Sequence, residues 1–541
     1  MNLSRRNLLR FGALTGAAVA APSLAGCRTQ GTAGPADPGA AAADVLPTFQ
    51  QYTGVTADVP GEPGRYSDLF YRYPEPVKAI TEVPGDGGDV TCLTVASVAP
   101  PPLESNPFWQ AFNERLGINY VPTLTPSPDY PSKFATMTAG DELPDLFTIV
   151  VDQTAALDQL LAAKAADLTD HLAGDAILDY PFLANLPTIS WQETIFGGRI
   201  RAIPIVRGYM TSLMMYARKD LLAEKGITEE PGSFEEWYAA LEEMNAPSAN
   251  TWALASIPTD FVRQMLRLPN NWYLDGDRIV SAYAAEGQEE ALESMRRIVE
   301  AGMVNPDAAT ASDSDQRAWF QNGSASYGWW TMSSYPALAV DPTGEQDGYI
   351  GDGVPVPGYE SGTGTPFLGE PNVTLTGINA ASTERIETLL AVANYLAAPY
   401  GTEEYLFRKY GLEGEHFTMA NGEITQDQDR GGERGIGHNY ICDSPWVIAA
   451  TPETREPMQR WQDFEKVFTE EFAVDPTAGL YSSTASRSLA SLNQTMKALE
   501  LDIVLGRQPV SAWADGVEKF RADGGAQIED ELSQSYAEAN A

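Results

Sequence analysis

The residues on which most enzymatic motifs depend are scarce in this sequence. Its 541 residues include three cysteines and only three histidines, which are His171, His416 and His438. No H-E-x-x-H metal motif, G-x-S-x-G nucleophile turn or G-x-x-x-x-G-K-S/T phosphate loop occurs. The sequence therefore favours a non-catalytic protein that needs no metal or other cofactor.

Basic side chains are also few. The chain has 35 lysines and arginines against 74 aspartates and glutamates, which gives a formal net charge of −39. Such a surface repels nucleic acid and anionic lipid head groups, so neither is expected as a partner. The acidic stretches 341–352 and 427–429 could hold Ca²⁺, but neither has the twelve-residue loop spacing, and solvated loops are the favoured interpretation.

A hydrophobic run long enough to cross a bilayer is missing as well. The apolar residues 11–25 fall short of the ~20 that a transmembrane helix needs. They follow the pair Arg5-Arg6 and lead into the sequence L-A-G-C, which ends at Cys27. This arrangement is typical of a twin-arginine-type lipoprotein signal peptide. We therefore expect removal of residues 1–26, acylation of Cys27, and an exported protein anchored to the outer face of the cell membrane.

Residues 27–87 are predicted to form a lipid anchor followed by an extended linker. The stretch 28–43 is rich in Gly, Pro and Ala and is typical of a flexible leash, with an r.m.s. reach of roughly 20 to 25 Å. The following stretch, to Gly88, is rich in Pro and Tyr. We expect it to pack across the body of the protein in extended form.

Two cysteines remain beyond the lipidation site. Cys92 lies in a strand-like segment and Cys442 in an aromatic stretch. Export would allow a disulfide between them. Two buried, unpaired thiols are the favoured alternative, because the sequence does not show whether their Cα atoms approach closely enough.

From Asp89 onward the hydrophobic pattern alternates between strands and helices. Residues 90–98 and 143–151 predict buried strands, and residues 107–116, 288–301 and 384–397 predict helices. This order is typical of the α/β class. The length exceeds what one hydrophobic core supports, so two or more lobes are expected.

Short motifs occur in a recognisable order over residues 85–541. They lie at 131–146, 196–204, 215–226, 233–237, 302–306, 320–325, 377–382 and 506–510. With this ordered set the chain resembles the extracellular solute-binding proteins of ABC transporters, in particular the sugar-binding lipoproteins related to maltose-binding protein. Two features differ from the maltose binders. The hairpin Lys-x-Tyr is replaced by Arg199-Ile200-Arg201, and no acid matches theirs after the Pro204 strand, so maltose itself is disfavoured as the ligand.

The resemblance implies a two-lobed α/β clamp of the periplasmic-binding-protein type, with chain crossings between the lobes and ligand in the cleft. Lobe 1 would comprise residues 88–206 and 340–405, and lobe 2 residues 207–339 and 406–541. The implied function is capture of an oligosaccharide or related carbohydrate by a monomer that delivers it to the membrane permease subunits of an ABC importer. A peptide or glycosylated-metabolite binder of the same fold and an exported glycan-active enzyme remain alternatives.

The resemblance also implies where ligand would bind. Trp329 and Trp330 follow the turn at Asn322-Gly323, where relatives present their main sugar-stacking ring. If the pair lies on a strand, one of the two rings points away from the cleft. For every candidate a purely structural role, as a cap or a core side chain, is the alternative. The other candidate ligand contacts are Arg207, Tyr209, Asp145, Asn271, Trp272, Glu370, Trp446 and Tyr481.

Overall fold

The structure is a computed structural model that describes residues 45–96, 99–154 and 156–539. The predicted signal peptide, the lipidation site Cys27 and the leash at 28–43 lie outside the described residues. Within the described ranges, no helix is both long and apolar enough to span a membrane.

Two sheets organise the chain. Their strands and those of four small ribbons are β1 (Leu69–Phe70), β2 (Asp89–Val95), β3 (Asn119–Thr125), β4 (Leu146–Ile149), β5 (Ile195–Phe196), β6 (Arg199–Ile200), β7 (Ile203–Val206), β8 (Leu213–Arg218), β9 (Trp252–Leu254), β10 (Trp272–Asp275), β11 (Arg278–Ser281), β12 (Ala325–Thr331), β13 (Gly351–Val354), β14 (Asn372–Ile378), β15 (Phe417–Ala420), β16 (Glu423–Gln426) and β17 (Ile448–Ala449). The first sheet has the order β3-β2-β4-β14-β7, and the second has the order β13-β8-β12-β9.

The two sheets present several strand ends to each other. In the first sheet β2, β3, β4 and β7 run parallel and β14 runs against them, so the carboxyl ends of β4 and β7 lie beside the amino end of β14. In the second sheet β8 runs against β12 and β13, and its amino end lies beside their carboxyl ends. The chain passes from Val206 to Leu213 between these two edges. The edges that the connecting segments join are therefore the ones where binding residues are expected.

Helices cover the faces of both sheets. They are α1 (Pro107–Leu116), α2 (Tyr130–Ala139), α3 (Leu157–Lys164), α4 (Thr169–Leu172), α5 (Thr188–Gln192), α6 (Lys219–Glu224), α7 (Phe234–Met244), α8 (Thr259–Met265), α9 (Gln288–Glu300), α10 (Asp313–Gln321), α11 (Tyr335–Leu338), α12 (Ile386–Leu396), α13 (Glu403–Tyr410), α14 (Arg455–Phe468), α15 (Ala485–Val504), α16 (Ala512–Phe520) and α17 (Ala526–Ala539). The predicted helix at 288–301 is α9, whose Ala291, Leu292, Met295 and Ile298 are fully buried. Its charged positions face outward, as the 3.6-residue period requires, whereas the polar Gln288 and Ser294 are buried with the apolar face.

The two sheets contribute to separate hydrophobic cores, and the first sheet packs against a further cluster on its other face. The first core combines residues of β2, β4 and α12 with Phe407, Ile436 and Ile441. The second combines residues of β8, β12 and α14 with Val354. The predicted lobe boundaries assigned Val354 to lobe 1 and Ile436 to lobe 2, whereas each packs in the other core. The reason is topological, because β13 pairs with β8 of the second sheet before the chain returns through β14 to the first.

The predicted extended segment packs across both cores. Residues 47–52 bond to the first-core side through Gly174, Ala184 and Asn185. Leu69 and Phe70 then form β1, which pairs with β17; Leu69 lies in the second core, and Phe70 packs with Tyr73 and Tyr400 in a smaller cluster. Farther along, the segment reaches α13, where Glu404 accepts hydrogen bonds from the N–H groups of Ala79 and Ile80. We call residues 45–88 the strap. Cys92 and Cys442 are both buried and unpaired, as favoured.

Candidate ligand-binding site

Two chain segments meet where the edges of the sheets approach, and we call residues 207–212 and 369–372 together the junction. The N–H groups of Arg207 and Gly208 both donate to the Pro371 carbonyl, at 2.9 and 2.8 Å. The Thr211 hydroxyl donates to the Glu370 carbonyl at 2.6 Å. These bonds hold the outgoing and the returning crossing side by side.

A glycine permits this close approach. A Cβ atom built on Gly369 would lie 2.4 to 2.6 Å from atoms of Thr211 and Ser212. Gly369 instead donates its N–H to the Ser212 hydroxyl at 2.9 Å. The Ser212 carbonyl accepts from the N–H of Met332 at 2.9 Å, so the end of β12 joins the same contact. The tryptophan pair of β12 therefore lies within a few residues of the junction.

The structure separates the two tryptophans by strand alternation. Trp330 is 3% exposed, and its ring packs against Phe320 and Tyr216 at centroid distances of 5.4 and 6.0 Å. Trp329 is half-buried on the opposite face, where its ring lies 5.8 Å from that of Phe261. Trp330 is thus a core residue, and Trp329 is the ring that is accessible at this edge.

Two buried hydroxyls lie on the segment that follows β9, next to β12. β9 pairs with β12 in the register Leu254 to Tyr327, and continuing that register sets Ser256 beside Trp329. Ser256 and Thr259 are 8% and 3% exposed, and in the described part of the chain neither hydroxyl has a hydrogen-bond partner. An unpartnered buried hydroxyl costs about 1 to 3 kcal/mol, which a water or a ligand group would relieve. Neither residue was singled out from sequence, because isolated serines and threonines carry no signal.

Arg207 takes part in an ion-pair network. Its guanidinium lies 3.5 Å from Asp443, whose carboxylate also accepts from Arg408 at 2.7 Å and Lys409 at 3.1 Å. Burial opposes ionisation of Asp443, but the charges of Lys409, Arg408 and Arg207 outweigh it and hold its pKa well below the usual range. Since Asp443 precedes the segment that leads to β17, Arg207 ties the first crossing to a third one.

Tyr209 is held by the strap. Its hydroxyl lies 2.9 Å from that of Ser67 and donates to Glu465 of α14 at 3.1 Å. Glu465 also accepts from the Ser67 N–H at 2.8 Å. Burial raises the pKa of Glu465 to about 7, although the hydrogen bonds from Ser67 and Tyr209 oppose that shift. The hydroxyl of Tyr209 is therefore bonded to side chains of the strap and of α14.

Three carboxyl groups converge on the other side of the junction. Glu193, just after α5, lies close to Glu370, and its Oε2 accepts from the Asn372 amide at 2.8 Å. Asp475 lies close enough to both acids to interact with them electrostatically, and it accepts from the Thr477 N–H at 2.9 Å with Asn271 nearby. Burial and then the charge of Glu370 raise the pKa of Glu193, while burial raises that of Asp475 to about 7.

This acidic cluster consists of Glu193, Glu370 and Asp475 with the amides of Asn271 and Asn372. It includes two of the residues predicted from sequence, Asn271 and Glu370, both of which are exposed. Glu193, Asn372 and Asp475 were missed. They come from segments far apart in sequence, in a chain so rich in acids that no single carboxylate stands out.

Asp145 lies elsewhere. It precedes β4 and so occupies the amino end of that strand, opposite the junction edge. Its carboxylate accepts from the Thr91 N–H and hydroxyl at 2.9 and 2.7 Å and from the Ser382 hydroxyl at 2.7 Å. Although burial opposes it, these hydrogen bonds lower the pKa of Asp145. The structure gives Asp145 the contacts of a residue that ties strands to a turn.

The remaining candidates are spread over the second-core side. Trp272 is 6% exposed in β10 and belongs to the second core. Trp446 is exposed in the third crossing, with its ring centroid 6.1 Å from that of Trp461. Tyr481 is exposed and lies near Asp158 and Gln159 of α3, which packs on the first sheet. Trp446 and Tyr481 thus lie on segments that touch both sides, whereas Trp272 does not.

A cavity of about 570 Å³ is lined by residues that are close in sequence to Asn271 and Asp475 of the acidic cluster. None of the ligand contacts predicted from sequence lines it. Its lining includes Arg267, Tyr273, Glu471 and Phe472. No group of histidine, cysteine or acidic side chains with a metal-binding arrangement occurs in the ranges that the structure describes.

Two α/β sheets joined at facing edges by several chain crossings define the class of two-lobed ligand-binding proteins. Residues 101–403, more than half of the chain, match the family of bacterial extracellular solute-binding proteins, and the chain belongs to that family. No curated protein matches its sequence.

Solved structures show the same fold at low sequence identity. The alginate-binding protein AlgQ2 is 12% identical, with a TM-score of 0.59, and the match covers 85% of this chain and 100% of AlgQ2. The N-glycan transport solute-binding protein NgtS from Streptococcus pneumoniae is 17% identical, with a TM-score of 0.60 and coverage of 84% and 99%. An HMO-binding, ABC-transporter-associated solute-binding protein from Bifidobacterium longum infantis is 11% identical, with a TM-score of 0.61 and coverage of 83% and 98%. The predicted fold class and family are confirmed.

Proposed function

We propose that this protein is the substrate-binding component of an ABC import system and that it binds an oligosaccharide at the junction. The observation that carries the proposal is the half-buried ring of Trp329, together with the unpartnered hydroxyls of Ser256 and Thr259 on the segment that follows β9. Sugar rings stack their C–H faces on indoles and need paired donors and acceptors for their hydroxyls. The solved relatives named for alginate, N-glycan and HMO support a carbohydrate as the ligand class.

The proposed mechanism is closure of two lobes about the ligand. Lobe 1 would carry the first sheet with residues 89–206 and 372–442, and lobe 2 the second sheet with residues 213–368 and 448–539. A ligand that contacts both lobes stabilises the closed form relative to the open form. The protein would act without catalysis and as a monomer, and would present the ligand to separate permease subunits. Export and acylation of Cys27 would keep it beside that permease.

A thermal-shift screen tests the proposal. Neutral, amino-bearing and uronate oligosaccharides are compared with peptides of similar size. Ligand present at 100 times its Kd should add ~2.7 kcal/mol to stability. Saccharides that raise the melting temperature of the wild type, and raise it less in Trp329→Ala, would support the proposal. Peptide hits without saccharide hits, or release of reducing ends from a bound glycan, would contradict it.

A further inference from the structure

The strap places a hairpin on the second-core side of the molecule. Val59 and Leu69 exchange both backbone hydrogen bonds, at 3.0 and 2.9 Å, and a turn at residues 62–66 lies between them. We call residues 59–71 the strap hairpin. Its Leu69 is fully buried in the second core. The hairpin thus packs with the second core, although the strap begins and ends on the first-core side.

One face of α14 holds this hairpin. The Tyr71 hydroxyl donates to Gln459 at 2.5 Å, and the guanidinium of Arg455 lies 3.9 Å from the centroid of the Tyr71 ring. Gln462 donates to two carbonyls of the hairpin, at 2.9 and 3.1 Å. Successive contact residues are four, three and three positions apart, which places them on one side of the helix. They are Arg455, Gln459, Gln462 and Glu465.

A short link leads from the end of the hairpin to the first-core side. Tyr73, two residues beyond Tyr71, donates from its hydroxyl to the carbonyl of Thr402, the N-cap of α13, at 2.7 Å. Its ring packs on Tyr400, with centroids 4.6 Å apart. α13 belongs to the first core through Phe407. Because an extended chain spans at most ~3.6 Å per residue, the Cα atoms of Tyr71 and Tyr73 are held within ~7 Å of each other.

A second link lies beside the first. Val55 lies against Gly401, since a Cβ atom built on that glycine would be 2.6 Å from the Val55 side chain. Val59 then starts the hairpin, so this link spans at most ~14 Å. Asp58 accepts from the Tyr71 N–H at 2.8 Å and joins the two links to each other. The two sides of the molecule are therefore connected at one place by two short links, residues 55–59 and 71–73.

The hairpin also contacts the segments that connect the two sheets. Tyr209 of the first crossing is bonded to Ser67 of the hairpin and to Glu465. β17 follows the third crossing and pairs in parallel with β1, where the Ile448 N–H donates to the Asp68 carbonyl at 2.8 Å. Hinge motions are absorbed by a few residues in such connecting segments. The hairpin therefore lies where a rotation of the lobes would be centred.

We propose that the strap hairpin holds lobe 2 to lobe 1 beside the crossings, so that the lobes rotate apart at the cleft and do not separate at the strap. This inference rests on the proposed function, because it concerns the lobe movement proposed there. Separation at the strap would have to break the bonds to α14 and withdraw Leu69 from the second core. Rotation about the two links changes only the backbone angles of a few residues, of which Thr56, Asp58 and Arg72 are exposed. The strap precedes residues 101–403, so this connection lies outside the part of the chain that matches the family.

The test lengthens both links and leaves the residues that hold the hairpin unchanged. Three glycines are inserted after Thr56 and three after Arg72, both of which are exposed. Each insertion adds up to ~10 Å of reach. The control carries six glycines after Gly64, in the exposed turn of the hairpin. It lengthens the strap equally but neither of the two links.

The separation of the lobes is measured by double electron–electron resonance without ligand. Spin labels are attached to Ser132→Cys of α2 and Glu242→Cys of α7, two exposed positions on different lobes. The background is Cys27→Ser, and the other native cysteines, Cys92 and Cys442, are buried and should not react. We expect the distance distribution of the link variant to be at least twice as wide as that of the wild type. The control should match the wild type.

Equal distributions in the wild type and the link variant would overturn the inference, as would equal broadening in the control. Should the link variant not fold, as judged by circular dichroism, Tyr71→Ala takes its place, because it removes the contacts with Arg455 and Gln459. Its control is Tyr238→Ala, whose ring has an arginine at 3.8 Å within lobe 2. Only Tyr71→Ala should broaden the distribution, and equal widths in the two variants would count against the inference.

A saccharide identified by the thermal-shift screen separates this inference from the proposed function. At saturation it should narrow the distribution of the link variant towards that of the wild type, because a bound ligand contacts both lobes. If no saccharide binds, the proposed function fails, while the comparison without ligand still decides whether the hairpin holds the lobes together. A saccharide that binds and leaves the broad distribution unchanged would contradict the lobe movement on which the inference rests.

Discussion

The guanidinium of Arg207 lies 3.5 Å from the carboxylate of Asp443, which joins the first crossing between the sheets to the third. The same carboxylate neutralises Arg408, whose side chain is fully buried, and the partly exposed Lys409. Three cations thus depend on one acid. Removing that acid should have a different effect from removing one of its partners.

We expect Asp443→Asn to lower the free energy of unfolding by about 3 to 5 kcal/mol, because it leaves the buried charge of Arg408 without compensation. Arg207→Ala should cost no more than about 1 kcal/mol, since Arg207 is partly exposed and Asp443 keeps two other partners. Urea unfolding at pH 7 measures both. Equal losses in the two variants would contradict the asymmetry.

The tryptophan pair yields a prediction with a built-in control. Trp330→Ala should lower stability by about 3 to 5 kcal/mol, because it empties a core position. Trp329→Ala should lower stability clearly less than Trp330→Ala, because its ring is only half-buried, but weaken saccharide binding by roughly ten- to hundredfold, through loss of stacking. Melting temperature without ligand and titrated affinity distinguish the two roles. Normal binding by Trp329→Ala would remove this ring from the site.

A third prediction concerns the pH dependence of stability. Burial raises the pKa of Glu465 from its ordinary 4.5 to about 7 in the folded protein. The folded state then binds the proton more tightly, so the contribution to stability is complete below pH ~4.5 and is lost as pH rises through ~7. The groups that face Glu465 are Ser67 and Tyr209, with Asp68 near Tyr209.

The matching experiment compares wild type with Glu465→Gln from pH 5 to 8. Glutamine cannot ionise, so the variant should gain stability relative to wild type as pH rises. The pKa values of Glu193 and Asp475 are also raised, but equally in both proteins, so their contributions cancel in the stability difference. A stability difference that does not change with pH would mean that Glu465 is charged throughout.

The anchor prediction lies outside the described residues and is tested in the producing cell. Cys27→Ser should release the protein from the membrane and abolish incorporation of labelled fatty acid. Arg5→Lys together with Arg6→Lys should stop export by the twin-arginine route. Normal export of the double variant would indicate the general secretory route instead.

Motif order was sufficient to predict the fold class and the family, but not which segments pack together. The strand around Leu146 was predicted at 143–151 and forms only Leu146–Ile149, since Pro144 lacks an N–H group and Asp145 is engaged in side-chain bonds. Alternation along a strand predicted that one of Trp329 and Trp330 would be buried. Only the register with β8 and β9 and the packing of Phe320 reveal that Trp330 is the buried one.

The candidate site was predicted less completely because its parts are distant in sequence. Arg207, Tyr209 and Glu370 were expected near a crossing, and the structure places all three at the junction. Glu193 and Asp475 become neighbours only after folding, and hydropathy patterns carry no information on such a pairing. Asp145 resembled a site residue in its motif, yet its hydrogen bonds to Thr91 and Ser382 belong to the opposite edge.

The strap has a consequence for how the molecule comes apart. It is held by Gly174 on one core and by Ile448 and Glu465 on the other, and it returns to Glu404 of α13. A fragment limited to the family-matching residues 101–403 would lack the strap together with α14, α15 and the third crossing. The two cores would keep the junction but lose the strap and the third crossing, which also couple them. We therefore expect the intact protein to melt in a single cooperative transition, and the shorter fragment to be unable to fold by itself.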